Sequence, residues 1–430
     1  MTRILAGIFA ACSLYAQAGP STFIVTTLAD SGPGSLRQAI VIANAAAGPS
    51  RITFAGGLHG AIVLTSGELA VAGSMEIDGP GAEVLSVSGN HGDRVFEIES
   101  TAKVSIQRLS IANGYAGGDV VHPGLGGGIY VAGGALSLSG VTVANNRAIG
   151  TAQIVAGIPP GPTGLGEGAG GGIYVAGGTL TVSNSLLVNN QALGARGADG
   201  NAGGNGLGGG IFNQGGIATV SSATFVNNQA VGGSGSAGGS GGSGSGGGIY
   251  DGSGGLTLTA VVVAGNQAVG GGGGAGANGG GGFGGGIANS GPSSFSGSWV
   301  LNNNAQGGNA GAGGTGGGGL GGGIFNGSGG AVTLQDGSLL ASNFALGGNC
   351  AVPGCGTSAP AGNAFGGGLY GATNSVSTIG VARIVGNRAI GTTGIGGGIY
   401  ALGTLTLSPA AIIVGNFAST ADPNIFPPGA

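Results

Sequence analysis

Past residue 120 the apolar and polar positions of this chain repeat as short alternating runs. Residues 172–190 show the unit: Gly-Ile-Tyr-Val, Thr-Leu-Thr-Val-Ser and Leu-Leu-Val-Asn-Asn, separated by glycine and serine. Alternation with period two, rich in β-branched residues and broken by turn formers, predicts strands. Three such strands in a unit of about 23 residues predict one rung of a parallel β-helix, with rungs stacked about 4.8 Å apart. The fold class that follows is all-β: a single-stranded right-handed parallel β-helix of about eleven rungs.

Two markers set the repeat. A glycine triplet is followed by an aliphatic residue at Ile129, Ile173, Ile211, Ile249, Ile287, Ile324, Leu369 and Ile399. An asparagine closes each unit, at Asn146, Asn190, Asn228, Asn266, Asn303, Asn343, Asn387 and Asn416, with an alanine two places on. From triplet to alanine the unit holds at 22 to 25 residues, while the inserts between units run from 6 to 21. A constant unit with variable inserts at one point is how a solenoid carries loops on one face. The asparagines predict an internal ladder at a coil corner, where each amide can donate to one rung and accept from another. A ligand-binding asparagine stripe is the weaker alternative. Tyr130, Tyr174, Phe212, Tyr250, Phe325, Tyr370 and Tyr400, interrupted by Ala288, form an aromatic ladder. It reads first as packing; as flat rings on the outside of a rod it would also be a sugar-stacking ladder.

The N-terminal third is different. Ser35-Leu36-Arg37-Gln38 is a capping box, and Leu36, Ala39, Ile40 and Ala43 follow at helical spacing, so a short amphipathic helix is expected to cap the open end of the rod. Three irregular coils follow. Ahead of them, Arg3, the apolar run 4–14 and Ala16-Gln17-Ala18 have the order of a secretory signal peptide. The expected organisation is a leader over 1–18, a helical cap over 19–51, irregular rungs over 52–120, regular rungs over 121–418 and a tail over 419–430. Export predicts a secreted or cell-surface protein, and it suits a small disulfide between Cys350 and Cys355.

Composition narrows the function. The chain has 111 glycines in 430 residues, only 24 charged side chains and a net charge of −4. A 41% hydrophobic content argues against disorder, and ten scattered basic residues argue against nucleic-acid binding. Acidic residues in the repeats (Glu167, Asp199, Asp251, Asp336 and Asp422) fall at different places in different units, so they are not expected to converge. Asp93, Arg94, Glu97, Glu99, Lys103 and Arg108 make the one charged grouping, with Glu76, Asp78 and Glu83 as candidate neighbours. It reads mainly as paired or solvated edge charge. No metal site and no cofactor are expected.

Four inserts of 15 residues carry glycine at every third place, as at 232, 235, 238, 241 and 244. That period belongs to an extended left-handed polyglycine or polyproline-type helix. Two readings stand side by side. The inserts pack as hairpins with amides paired between neighbours, or they are flexible loops, which glycine's conformational entropy favours.

Asp30-Ser31-Gly32-Pro33-Gly34-Ser35-Leu36-Arg37-Gln38-Ala39-Ile40, Ile52-Thr53-Phe54, Met75-Glu76-Ile77-Asp78-Gly79-Pro80-Gly81-Ala82 and the Gly-Gly-Gly-Ile-Tyr units resemble secreted bacterial right-handed parallel β-helix proteins of the pectin-lyase-like superfamily. The repeats are similar to those of polymorphic outer-membrane proteins, whose Phe-x-x-Asn motif is matched outright by Phe225-Val226-Asn227-Asn228. Autotransporters of that kind end in a membrane barrel, whereas residues 419–430 read as a capping tail. The resemblance implies a fold that hosts lyases, hydrolases, adhesins and passenger domains. The expected function is non-catalytic: a monomeric structural or adhesin-like protein binding a polysaccharide, a cell-envelope or matrix component, or a protein partner. A polysaccharide lyase or glycoside hydrolase using the charged N-terminal rungs is the alternative.

Overall fold

The computed structural model describes residues 21–117, 122–151, 166–349 and 361–427. The expected leader and the expected Cys350–Cys355 disulfide lie outside the described residues. The chain winds as a parallel β-helix in which every sheet is parallel, with five sheets of 12, 11, 11, 9 and 7 strands. One regular rung runs through Gly168–Ala169 (sheet E), Ile173–Val175 (sheet C), Thr179–Ser183 (sheet A), Leu186–Val188 (sheet B) and Gln191–Leu193 (sheet D). The three expected strands are sheets C, A and B. Sheets D and E are additions to the three expected strands, with three and two residues per rung.

Register is set by identical positions stacking. Ile173 pairs with Ile211 and Leu187 with Phe225. Inward residues such as Leu180, Val182 and Leu187 are wholly buried in one continuous core. At the N-terminal end the helix Leu36–Asn44 closes that core with the expected Leu36, Ala39, Ile40 and Ala43. The Ser35 side chain accepts the Gln38 N–H at 3.2 Å, which fixes the helix start. A strand the sequence reading did not anticipate, Ser21–Val25, precedes the helix and pairs with Ser50–Phe54.

The asparagine ladder is present and internal. Asn190 Nδ2 donates to Val143 O and to Asn228 Oδ1, both at 2.9 Å, and Asn190 N–H donates to the same Oδ1 at 3.0 Å. The pattern passes through Asn228, Asn266, Asn303, Asn343, Asn387 and Asn416, and Asn424 of the tail accepts from Asn416 at the end. Every ladder amide is spoken for, so the packing reading holds.

The glycine inserts are ordered. Each runs outward from sheet D, turns and returns to sheet E, forming a two-layer bundle of extended glycine helices. Gly232 N–H donates to Val269 O of the next rung and Gly233 N–H to Gly204 O of the opposite layer, each at 2.8 Å. Gly235 and Gly241 repeat the first contact, at Gly272 O and Asn278 O; Gly242 repeats the second, at Gly233 O. The third residue of each triplet faces out: Ser234, Ala237 and Ser240 are exposed. Glycine is required because the layers touch backbone to backbone. A Cβ at Gly242 would lie 1.9 Å from Gly204 O, and one at Gly206 would lie 2.4 Å from Val231 N in sheet D.

The ladder can be tested at Asn228, which is fully buried. Asn228→Ala leaves the main-chain and side-chain N–H groups of Asn190 without their acceptor, at a cost of about 3 kcal/mol. A lowered urea midpoint is the expected outcome, with Ser240→Ala on the outer bundle face within about 0.5 kcal/mol of the parent. Equal stability of the two variants would contradict an internal ladder.

Candidate functional site

The aromatic ladder occupies the outer face of sheet C, one residue after the inward isoleucines. Its first rings are not on an open surface. Sheet E covers them, with Ala169 and Leu207 packed on Tyr130, Tyr174 and Phe212, whose exposure falls to 7%, 2% and 4%. The rings also stack on one another, with centroids 5.4 Å apart for Tyr130–Tyr174, 4.9 Å for Phe212–Tyr250 and 5.2 Å for Phe325–Tyr370. Ring faces along these runs are therefore occupied by neighbouring rings, and what the ladder offers a ligand is edges and hydroxyls. The Tyr174 hydroxyl donates to Gln214 Oε1. Burial pushes the Tyr250 hydroxyl's pKa up, against an opposing hydrogen bond with Ser290.

Between this ladder and the returning arms of the glycine inserts lie two cavities. One cavity of about 390 Å³ has polar walls from Glu167, Asn205, Gln214, Ser243 and Ser253 around Phe212 and Tyr250. A second, of about 550 Å³, lies among Phe283, Leu320, Phe365 and Tyr370, with Thr315 and Asn363 on the arms. The returning arms that line them belong to six successive rungs, a track of about 24 Å at the rung spacing. Asn205 is fixed in the wall, donating to Glu167 Oε1 at 2.9 Å and accepting from Ser243 N at 2.8 Å.

The charged grouping expected from sequence does not converge as one patch. Arg108 binds Asp78 (2.6 Å), which also holds Arg51 (2.7 Å), with Glu76 3.8 Å from Arg51. The two arginines hold the Asp78 carboxyl below its ordinary pKa, against a burial effect that acts to raise it. Asp93, Glu99 and Lys103 are exposed. Arg94 and Glu97 fall in one cluster, both beside Glu68, with His122 against Glu97; neither Glu68 nor His122 is in the expected grouping. Arg94, 2% exposed, pairs with Glu68 and donates to the carbonyls of Leu125 (2.9 Å) and Gly126 (3.0 Å). His122 Nδ1 is 3.5 Å from Glu97 Oε1, and its ring stacks on Tyr130 at 4.0 Å. Burial pushes the Glu68 carboxyl up and Glu97 adds to the rise, while Arg94 opposes it. Glu97 pairs in register with Tyr130, so this cluster stands at the head of the aromatic ladder. No period marks these irregular rungs, and nothing in the sequence tied Glu68 or His122 to them.

A second polar ladder lies inside the corner after sheet C. Asn213, Asp251, Asn289 and Asn326 are fully buried and in register. Asn213 Nδ2 donates to Asp251 Oδ1 at 2.6 Å, but Asp251 Oδ2 has no hydrogen-bond partner. The signal was available: in the units from 211 to 326 a polar residue stands two places after the marker isoleucine, as in Ile211-Phe212-Asn213 and Ile249-Tyr250-Asp251. Among the described residues no group of three metal-binding side chains occurs, and no helix is long and apolar enough to cross a membrane.

A scan against protein-family models finds no match, and no curated protein matches the chain.

Burial raises the Asp251 pKa from 3.8 to about 6, with the Asn213 hydrogen bond opposing. A folded-state pKa above the unfolded one stabilises the fold fully below about pH 4, and that stabilisation is lost as pH rises through 6. Asp251→Asn removes the loss, since an amide fits the ladder. Thermal melts are expected to show the variant more stable by about 2 to 3 kcal/mol at pH 8 and close to the parent at pH 4. A gap that does not change with pH would contradict this assignment.

Proposed function

We propose that this chain is an exported, non-catalytic rod that holds an extended neutral polysaccharide along the two cavities between the aromatic ladder and the glycine bundle. Two cavities along the same ladder carry the reading: their walls come from successive rungs and mix aromatic rings with amide and hydroxyl side chains. Such walls suit a ligand that is polar, uncharged and itself repetitive. The leader-like residues 1–18 support export, and the resemblance to pectin-lyase-like β-helix proteins supports a glycan ligand. The scarcity of charge in the repeats favours retention over turnover.

One observation favours a second reading, hydrolysis or elimination at the head of the ladder. Glu68, its pKa raised by burial, adjoins Glu97, and two neighbouring carboxyl groups are what general acid–base cleavage of a glycan uses. Against it, Arg94 neutralises Glu68 while its remaining contacts fix the turn carbonyls of 122–126.

Immobilised polysaccharides, scored for retained protein and for released reducing or unsaturated ends, separate the two. Retention without release is expected, reduced about tenfold or more by Ser253→Trp, which fills the polar cavity from an exposed turn. Release that disappears in Glu97→Gln would establish the second reading, and no retention on any polysaccharide would overturn the first.

A further inference from the structure

The outer face of sheet B is unlike the others. Its eight strands from Thr142–Ala144 to Ile412–Val414 place two residues each outward, and 13 of those 16 are apolar, the exceptions being Thr142, Thr224 and Arg383. The matching outward positions of sheet A are mostly serine and threonine, as in Thr179, Thr181 and Ser183. Along sheet B the side chains stand half-buried beside their neighbours, while Trp299 is 49% and Val414 52% exposed. Trp299 is the only tryptophan of the chain.

Charge is distributed with equal bias. The repeats beyond residue 120 contain four basic residues, Arg147, Arg196, Arg383 and Arg388, and all are exposed on sheet B, on sheet D beyond the next corner, or on the glycine arm leaving sheet D. Of the acids, Asp251 is internal, Glu167 lines the polar cavity and Asp422 lies in the tail. Asp336 at the corner between sheets A and B and Asp199 at an insert tip are the acids nearest this side. In a chain of net charge −4, an apolar strip edged by arginines is a local reversal.

From these observations we infer that sheet B is a membrane-contact face that lies on an anionic lipid surface, apolar side chains at the headgroup boundary and arginines on lipid phosphates. Apolar residues with Trp and flanking cations are the composition of segments that rest in that interface. Size favours a lipid surface over a second copy. Eight strands at about 4.8 Å and three residues at about 3.3 Å give a strip of about 400 Å², half of the roughly 800 Å² per partner that a stable protein interface buries.

The lone tryptophan makes the test direct. The full chain is titrated at low salt with vesicles of phosphatidylcholine containing about one third phosphatidylglycerol, and with phosphatidylcholine alone, while Trp299 emission is followed. Expected are a blue shift and quenching by brominated acyl chains on the anionic vesicles only. Arg383→Gln with Arg388→Gln is expected to weaken partition about thirtyfold; both side chains are exposed, and unchanged melting confirms folding. No shift on anionic vesicles overturns the inference, as does equal partition onto the zwitterionic ones. A blue shift that follows protein concentration without lipid also overturns it, by assigning the face to a second copy.

Discussion

Backbone touching backbone is the constraint on which the rest of this molecule depends. Where sheet E lies on sheet D, and where the two layers of inserts meet, the space between chains is too small for a single carbon. A Cβ at Gly194, Gly204, Gly233 or Gly242 would come within 2.0 Å of a carbonyl oxygen. Glycine ordinarily weakens a regular element because it loses so much conformational freedom on folding. Here its missing side chain lets main-chain N–H groups reach the next rung and the facing layer in turn, so hydrogen bonding across both directions offsets the lost entropy. The many glycines are thus a structural material, and the rod with its bundle forms one object.

The same constraint shows why the rod was more legible than its flank. The isoleucine and asparagine markers announced the rungs because alternation and identity at fixed spacing are properties of strands that face a core. Leu36, Ala39, Ile40 and Ala43 announced the lid for the same reason. Sheet D shows only one inward residue per rung, the marker alanine, and sheet E carries no alternation. Gly206–Leu207 and its equivalents are two residues long and contact backbone rather than side chains, leaving no hydrophobic signature. Period-three glycine signalled the inserts but could not decide between packed and loose. That decision rests on neighbours about 37 residues away, seen when Gly235 N–H meets Gly272 O.

The candidate site was legible only in its parts. Tyr130 to Tyr400 were visible as a ladder, but their mutual stacking and the cover provided by sheet E turn a row of sugar platforms into one wall of two cavities. The opposite wall comes from Asn205, Ser243, Thr315 and Asn363, polar residues of inserts that had seemed featureless. Glu68 and His122 sit in rungs without a period, and only the fold brings them to Arg94, Glu97 and Tyr130. The faces differ in chemistry: hydroxyls on sheet A, apolar side chains on sheet B, and between sheets C and E two cavities with Glu167 as the one charged residue in their lining.

Amide hydrogen exchange across residues 231–245 of the intact chain tests the central claim, that the glycine inserts are an ordered, hydrogen-bonded bundle. The N–H groups of Gly232, Gly233, Gly235, Ser236, Gly238, Gly239, Gly241, Gly242 and Gly244 donate to backbone carbonyls, whereas Ser234, Ala237 and Ser240 face outward with no such bond. Two slow amides followed by one fast, repeating from Gly232 to Gly242, is the predicted result, with Ser243 slowed as well by its bond to Asn205. Uniform exchange at the rate of an unstructured chain would contradict the account.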